Sequence, residues 1–437
     1  MFETIVALAT PAAKSALAII RLSGDDCFKI VSKCFSKDLN NIKEKGIHYG
    51  YVLDGDKQID QVVLLAYVAP HSFTGENSVE IICHGSMLIA KQIIAILLKN
   101  GARMATNGEF SSRAYLNGKI DLVQAEAIND MINATTEEAK DLSMVSLTGE
   151  TSKVFKPIKD SIGEILSHIE VNIDYPEYED IEQTSKEEII EKCSKISKDI
   201  DLLIKDGEKN KIYHEGVKIA IVGKPNVGKS SLLNAFLKED KAIVTNIAGT
   251  TRDIVEGDFN LSGVPVHLFD TAGIHSSDDV IEQIGIDKAK KAIEEADLIL
   301  FVVDETGFDN ELYDFIKNKK HLVVYNKSDL VKNKEKDKLY ISAKENDIAA
   351  LVSKIKEELN IGELTIKPTF NNTRQLGILK SISFYLTNAI NDTNDGQPID
   401  LISVNLMAAY NAALDLLGEN NKNDLTDEIF SRFCVGK

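Results

Sequence analysis

The chain has 437 residues, enough for about two to four domains at roughly 100–200 residues each. With 43% hydrophobic and 27% charged residues it is neither a disordered nor a fibrous sequence. Fifty Lys+Arg against 68 Asp+Glu give a net charge of −18. That balance argues against a protein gripping nucleic acid over most of its surface, since such binding rests on neutralising phosphates with Lys and Arg, while leaving room for a local basic patch or a basic partner.

The amino terminus, Met1-Phe2-Glu3-Thr4, carries an acid where a targeting peptide would carry Lys or Arg. The longest apolar run, Val62–Ala69, falls far short of the roughly 18 residues of a membrane helix. Cys27, Cys34, Cys83, Cys193 and Cys434 are odd in number and form no C-x-x-C pair, so they read as reduced thiols. The expectation is a cytoplasmic protein with no membrane association.

Residues 1 to about 118 mix short β-rich runs (Thr4–Ala9, Ala16–Leu22, Val62–Ala69, Val79–Cys83) with Gly-containing turns. One helical stretch, Met87–Leu98, stops at Asn100-Gly101, and together these predict an α+β domain. From Ile120 to about Gly207 the period turns helical. Leu122, Ala125, Ile128 and Ile132 share one face, and Ile189, Cys193, Ile196, Ile200 and Leu203 another. An acidic, Pro-containing break at residues 174–180 separates the two. Between about 216 and 365, the strand-like runs Val217–Val222, Val266–Phe269, Leu298–Val303, Leu322–Tyr325 and Leu339–Ile341 alternate with helical patterns. Such alternation predicts a largely parallel sheet. After Pro368 the helical period returns, through Leu379, Ile382, Leu386 and Ala389, then Ile402, Leu406, Ala409, Ala413 and Leu416. Each helical piece alone offers little core, so the α/β module is expected to be inserted into one helical domain.

Gly223-Lys224-Pro225-Asn226-Val227-Gly228-Lys229-Ser230 directly follows the apolar run Val217–Val222 and precedes a helical stretch, Ser231–Leu237. In that context the glycines let backbone N–H groups curl around phosphate, Lys229 neutralises the β/γ oxygens, and Ser230 offers a hydroxyl to Mg²⁺. Four further pieces come in the order that a guanine-nucleotide fold needs. Gly249-Thr250-Thr251 supplies switch hydroxyls for Mg²⁺ and the γ-phosphate. Asp270-Thr271-Ala272-Gly273 ends a strand, placing a carboxylate near the metal and an N–H near the γ-phosphate. In Asn326-Lys327-Ser328-Asp329 the Asp329 carboxylate would accept from guanine N1–H and its amino group, a donor pair adenine lacks. Ser342-Ala343-Lys344 would face guanine O6 with backbone N–H groups. Many GTPases place a water-orienting Gln after the Asp270 motif, whereas this chain has Ile274. Glu282 is either a substitute acceptor or one solvated acid in an acidic run; no arginine finger is evident, Arg252 being nearest by sequence.

With these residues assembled, the chain resembles the MnmE/TrmE family of tRNA-modifying GTPases along essentially its whole length. The outer matches are Ser72-Phe73-Thr74-Gly75-Glu76, Leu116-Asn117-Gly118-Lys119-Ile120-Asp121-Leu122 continuing to Gln124-Ala125-Glu126-Ala127, and the tail Cys434-Val435-Gly436-Lys437. The resemblance implies a multidomain protein: an α+β N-terminal folate-binding and dimerisation domain (1–118), a discontinuous helical domain (119–212 with 373–437), and an inserted α/β P-loop GTPase domain (213–372).

It also implies site residues. The nucleotide contacts fall on Asn226, Val227, Gly228, Lys229, Ser230, Ser231, on Thr245, Asn246, Ile247, Ala248, Gly249, Thr250 and Thr251, and on the Asp270, Asn326 and Ser342 motifs. Mg²⁺ would be held by Ser230 and Thr251. A K⁺ replacing the arginine finger would be held by Asn226, Thr245, Ile247 and Thr250. The water-orienting acid falls on Glu282. A tetrahydrofolate one-carbon donor would meet Arg21, Glu80, Lys119 and Lys437; Cys434 is a nucleophile or merely a small buried residue. The implied assembly is a homodimer joined by a MnmG/GidA flavoprotein that carries FAD, in a heterotetramer acting on the wobble uridine of certain tRNAs. His275, Gln375 and Val435 depart from the residues common in the family. The competing expectation is a ribosome-assembly or regulatory GTPase without modification chemistry, which would call for a basic RNA-binding domain or would not need the N-terminal residues.

Overall fold

The structure, a computed structural model, describes residues 3–174, 185–239, 257–270, 290–305, 307–331, 333–362, 364–420 and 428–436. The chain divides into two compact units, one of Met1–Asn129, Leu147–Lys159 and Tyr410–Lys437, the other of Asp130–Ser146 and Asp160–Ala409.

The first unit is built on six strands: β1 (Ile5–Leu8), β2 (Leu17–Ser23), β3 (Gly46–Asp54), β4 (Lys57–Tyr67), β5 (Ser78–His84) and β6 (Arg103–Met104). They lie in the order β3-β4-β5-β2-β1-β6, antiparallel except for the parallel pair β1–β6. Period-two alternation decides the faces. Ala18, Ile20 and Leu22 of β2 with Val79 and Ile81 of β5 bury one face against Ala90, Ile93 and Leu97 of helix Met87–Lys99. Arg21 and Ser23 of β2, paired in register with Glu80 and Ser78 of β5, therefore point from the other face. Strand β3, unread in the sequence because two glycines dilute its pattern, forms a hairpin with β4 through Gly55 at φ +61°.

The second unit contains β7 (Val217–Val222), β8 (Gly257–Leu261), β9 (Val264–Asp270), β10 (Leu298–Val303), β11 (His321–Tyr325) and β12 (Leu339–Tyr340). Their order is β12-β11-β10-β7-β9-β8, parallel apart from the antiparallel edge pair β8–β9. Both faces are covered, so the central strands β10 and β7 are apolar apart from Lys218 near the start of β7. Ile219, Ile221, Leu300 and Val302 pack with Leu232 and Phe236 of helix Lys229–Glu239, while Ala220, Val222, Ile299 and Phe301 pack with Ile293 and Ile316. β8 escaped the sequence reading because its run Gly-Asp-Phe-Asn-Leu is short and half polar, as an edge strand allows.

Two long helices, Lys186–Glu215 and Thr373–Asn394, pack side by side, burying Ile189, Cys193, Ile196 and Ile200 against a stripe that includes Leu379, Ile382, Leu386 and Ala389. The α/β module enters the chain at the end of the first helix and leaves at the start of the second. Polar contacts tie the two ends: Asn210 Nδ2 donates to Thr369 Oγ1 at 3.1 Å, Tyr213 Oη to the Gly362 carbonyl at 2.6 Å, and the Thr373 N–H to Glu215 Oε1 at 2.9 Å. At Gly207 a Cβ would lie 2.1 Å from the Phe370 carbonyl oxygen, so the crossing there admits no side chain. The acidic break expected at 174–180 lies, beyond Asp174, outside the described residues. No helix among the described residues is long and apolar enough to cross a membrane.

Candidate functional sites

The phosphate loop leaves β7 at Gly223 and ends at Lys229, the first residue of helix Lys229–Glu239. Three of its residues need positive φ: Gly223 at +153°, Asn226 at +64° and Gly228 at +98°. The glycines are also demanded by space, since a Cβ at Gly223 would stand 2.2 Å from the Val302 carbonyl oxygen and one at Gly228 2.2 Å from Asn326 Nδ2. Lys229 Nζ is held in the loop by the carbonyls of Gly223 at 2.8 Å and Lys224 at 3.0 Å. Ser230 and Ser231 stand in the first turn, where the helix dipole and its orphan N–H groups favour an anion.

The base loop is clasped to the phosphate loop by two side chains. Asn326, which is 4% exposed, donates from Nδ2 to the Val227 carbonyl at 2.8 Å and accepts at Oδ1 from the Ala343 N–H at 3.0 Å. One amide therefore joins the phosphate, base and Ser342 loops. The Ala343 N–H, expected to face guanine O6, is engaged by Asn326 here. Lys327, at φ +61°, donates from Nζ to the Asn226 carbonyl at 2.8 Å and pairs with Asp304, whose side chain is 2% exposed at the end of β10. Ser342 Oγ donates to Asp329 Oδ1 at 2.7 Å. That hydrogen bond, aided by the charges of Lys344 and Lys327, holds the carboxyl below the ordinary carboxylate value, so it stands ready as an acceptor.

The sequence pattern missed Asp304. A single acid closing the otherwise apolar strand Leu298–Val303 is the signal that could have found it. Asp270 ends β9 beside Ile221 in register, next to the phosphate loop. Thr245, Asn246, Ile247, Ala248, Gly249, Thr250, Thr251, Thr271, Ala272, Gly273, Glu282 and His275 lie outside the described residues.

The first unit brings together a second set. Arg21 and Glu80 face one another across β2 and β5, with Arg21 Nε 2.9 Å and Nη2 2.8 Å from Glu80 Oε1. Arg21 Nη1 donates to the Gly436 carbonyl at 3.0 Å, and its guanidinium lies 5.7 Å from the centre of the Phe110 ring. The tail is seated by a bridge between Asn107 and Val435. Lys119 Nζ donates to the Pro70 carbonyl at 3.1 Å. Arg21, Glu80 and Lys119 are thus held on elements of one unit; Lys437 lies outside the described residues. Cys434 is exposed, so the reading of it as a small buried residue is corrected. The other four cysteines are buried, their thiols pushed up by burial, to about 11 for Cys34, Cys83 and Cys193.

A parallel sheet with one antiparallel edge, a phosphate loop after its first strand and an Asn-Lys-x-Asp loop after its fifth define an inserted P-loop GTPase domain. A family model for the GTP-binding protein TrmE N-terminus matches residues 4–119, and one for the MnmE helical domain matches residues 122–434. The chain belongs to the MnmE (TrmE) family. It is 42% identical to the tRNA modification GTPase MnmE of Mesoplasma florum, covering 100% of this chain and 99% of that one. Against the Lactococcus lactis subsp. cremoris protein of the same name it is 40% identical, again over 100% and 99%; against that of Staphylococcus haemolyticus it is 38% identical over 100% of both. Among solved structures, Aquifex aeolicus Era bound to GDP·AlF4⁻ is 34% identical over 39% of this chain and 66% of its own, with a TM-score of 0.29.

Proposed function

We propose that the protein binds and hydrolyses GTP to drive modification of tRNA, the activity for which its curated relatives are named. The observation that carries this reading is the Asn326 clasp, which holds the phosphate, base and Ser342 loops in one arrangement inside a chain that matches the family from end to end. In the nucleotide-bound protein, Lys229 would exchange two neutral carbonyls for phosphate oxygens, a stronger charge-assisted partner. The amides of the phosphate loop would wrap the β-phosphate, and Asp329 would take the two guanine donors.

The finer reading rests on the resemblance. Ser230 and Thr251 would hold Mg²⁺, and the first-turn position of Ser230 fits that role. Asn226, with Thr245, Ile247 and Thr250, would hold K⁺; the left-handed turn at Asn226, pinned by Lys327, fits a residue that must present oxygen from a sharp bend. A bound K⁺ would supply positive charge beside the β- and γ-phosphates, the service an arginine finger gives elsewhere. Glu282 would orient the attacking water.

In the first unit, Arg21, Glu80, Lys119 and Lys437 would bind a tetrahydrofolate derivative. The Glu80 carboxylate suits the pterin's adjacent N–H groups, and the cations suit the glutamate tail. Cys434 is accessible as a nucleophile. A homodimer with a MnmG/GidA-like, FAD-bearing flavoprotein would then install a (carboxymethyl)aminomethyl group at C5 of the wobble uridine in the cytoplasm. The division into 1–118, 119–212 with 373–437, and 213–372 is proposed on the same basis.

Hydrolysis is expected to run at least tenfold faster in K⁺ than in Na⁺, with Glu282→Ala slowing turnover far more than it weakens nucleotide binding. Equal rates in the two salts refute the cation mechanism. Mass analysis of wobble nucleosides from cells lacking the protein tests the modification itself; an unchanged nucleoside profile refutes it.

A further inference from the structure

Arg113 is the largest fully buried side chain among the described residues, with 2% of its surface exposed. It sits on helix Glu109–Leu116 and is a member of neither the nucleotide nor the folate residue set. A guanidinium withdrawn from water is costly unless its donors are met by well-placed acceptors. Here Nη1 reaches Glu76 Oε2 at 3.1 Å and Oε1 at 3.3 Å, while Nη2 donates to Glu109 Oε1 at 2.8 Å and to the Glu3 carbonyl at 2.8 Å. Glu109 is itself gripped by Arg103 at 2.6 Å and 2.9 Å.

The far end of this network is a loop. Glu76 closes the segment Pro70–Glu76, and its Oε2 also accepts from Ser23 Oγ at 2.7 Å, which in turn contacts Thr74 Oγ1 at 2.7 Å. Ser23, Thr74 and Ser78 are all buried. The loop in turn fixes the residues just beyond helix Glu109–Leu116. Asn117 Nδ2 donates to the Thr74 carbonyl at 2.7 Å, and Lys119 Nζ to the Pro70 carbonyl. Gly75, at φ +78°, would bring a Cβ within 3.3 Å of both Asn117 and Lys119. Arg21 and Glu80 lie on the same sheet face as Ser23 and Ser78, two residues along each strand.

We propose that Arg113 is a positioning residue: its buried fork, shared between Glu76 and Glu109, clamps loop 70–77 and thereby fixes Lys119, which the folate reading assigns to the same ligand as Arg21 and Glu80. The clamp explains why a full charge is retained where an apolar side chain would be easier to bury. A planar fork aims at two acceptors at once, which an ammonium cannot do. Its consequence for ligand binding rests on the folate reading; its consequence for the loop does not.

The test uses the full chain with Arg113→Lys and, separately, the near-isosteric Glu76→Gln. Hydrogen exchange of segment 70–77 is measured against the β3–β4 hairpin as internal reference, and 5-formyltetrahydrofolate is titrated by calorimetry. In both variants loop exchange is expected to rise at least tenfold while the hairpin is unchanged, and folate affinity to fall at least tenfold, with Lys failing to rescue Arg. Unchanged loop protection in a folded variant overturns the proposal, and so does a parallel rise in the hairpin, which would make Arg113 a general stabiliser. Where Arg113→Lys fails to fold, Glu76→Gln decides by the same readouts. Wild-type protein that binds no folate sinks the folate reading alone, because the exchange result still judges the clamp.

Discussion

Replacing Asn326 by alanine removes an amide that joins the phosphate, base and Ser342 loops. Two hydrogen bonds are lost, to the Val227 carbonyl and from the Ala343 N–H, at a site only 4% exposed. Each bond contributes about 0.5–1.5 kcal/mol net, and each backbone group left buried without a partner costs about 1–3 kcal/mol. Water entering the space vacated by the amide recovers part of that, leaving about 2–4 kcal/mol. That cost divides between a loss of GDP affinity and a loss of unfolding free energy in the nucleotide-free protein. If the free loops are already loose, the whole cost appears as affinity, roughly 30- to 700-fold at about 1.4 kcal/mol per decade. Fluorescent GDP titration and denaturant unfolding of the same variant give both parts. A sum below about 0.5 kcal/mol would refute the clasp as the device that aligns the loops.

Glu109 gives a pH prediction. Burial pushes its carboxyl up, but hydrogen bonds from Arg103, the Thr106 N–H and Arg113 outweigh that and hold it at about 2, below its ordinary 4.5. A depressed folded-state value means stability that is fully present above about 4.5 and lost as pH falls toward about 2. Thermal melts between those limits should show a steep acid limb in the wild type and a flatter one in Glu109→Gln; identical limbs would mean that Glu109 contributes nothing to acid sensitivity. The cysteines give another. With Cys434 exposed and the other four buried, a maleimide should label one thiol per folded chain rapidly and all five after unfolding. Rapid labelling of Cys27 or Cys193 would contradict the packing described.

Much of the nucleotide site was legible from the residue order, because phosphate and guanine recognition demand residue types at fixed spacings next to strand ends. Gly223–Ser230, Asn326–Asp329 and Ser342–Lys344 are local strings recognisable by residue type and spacing, though their mutual pairing is not, and the apolar strands β7, β10 and β11 announce themselves by composition. The insertion was legible too, from helical periods on both sides of the α/β pattern. Edge strands β3 and β8 were not, since one exposed side lets polar and glycine residues interrupt the period.

What tertiary structure alone decided is which charges meet. Arg21 and Glu80 are 59 residues apart and meet through strand register; Asp304 and Lys327 meet because two parallel strands end side by side. Nothing in the local sequence around Arg113 marks it as buried. Only the folding of residues 3, 76 and 109 around it turns that cation into a buried anchor. Chemistry confined to a few consecutive residues is written in their order, whereas the pairing of a buried charge depends on which segments the fold brings together.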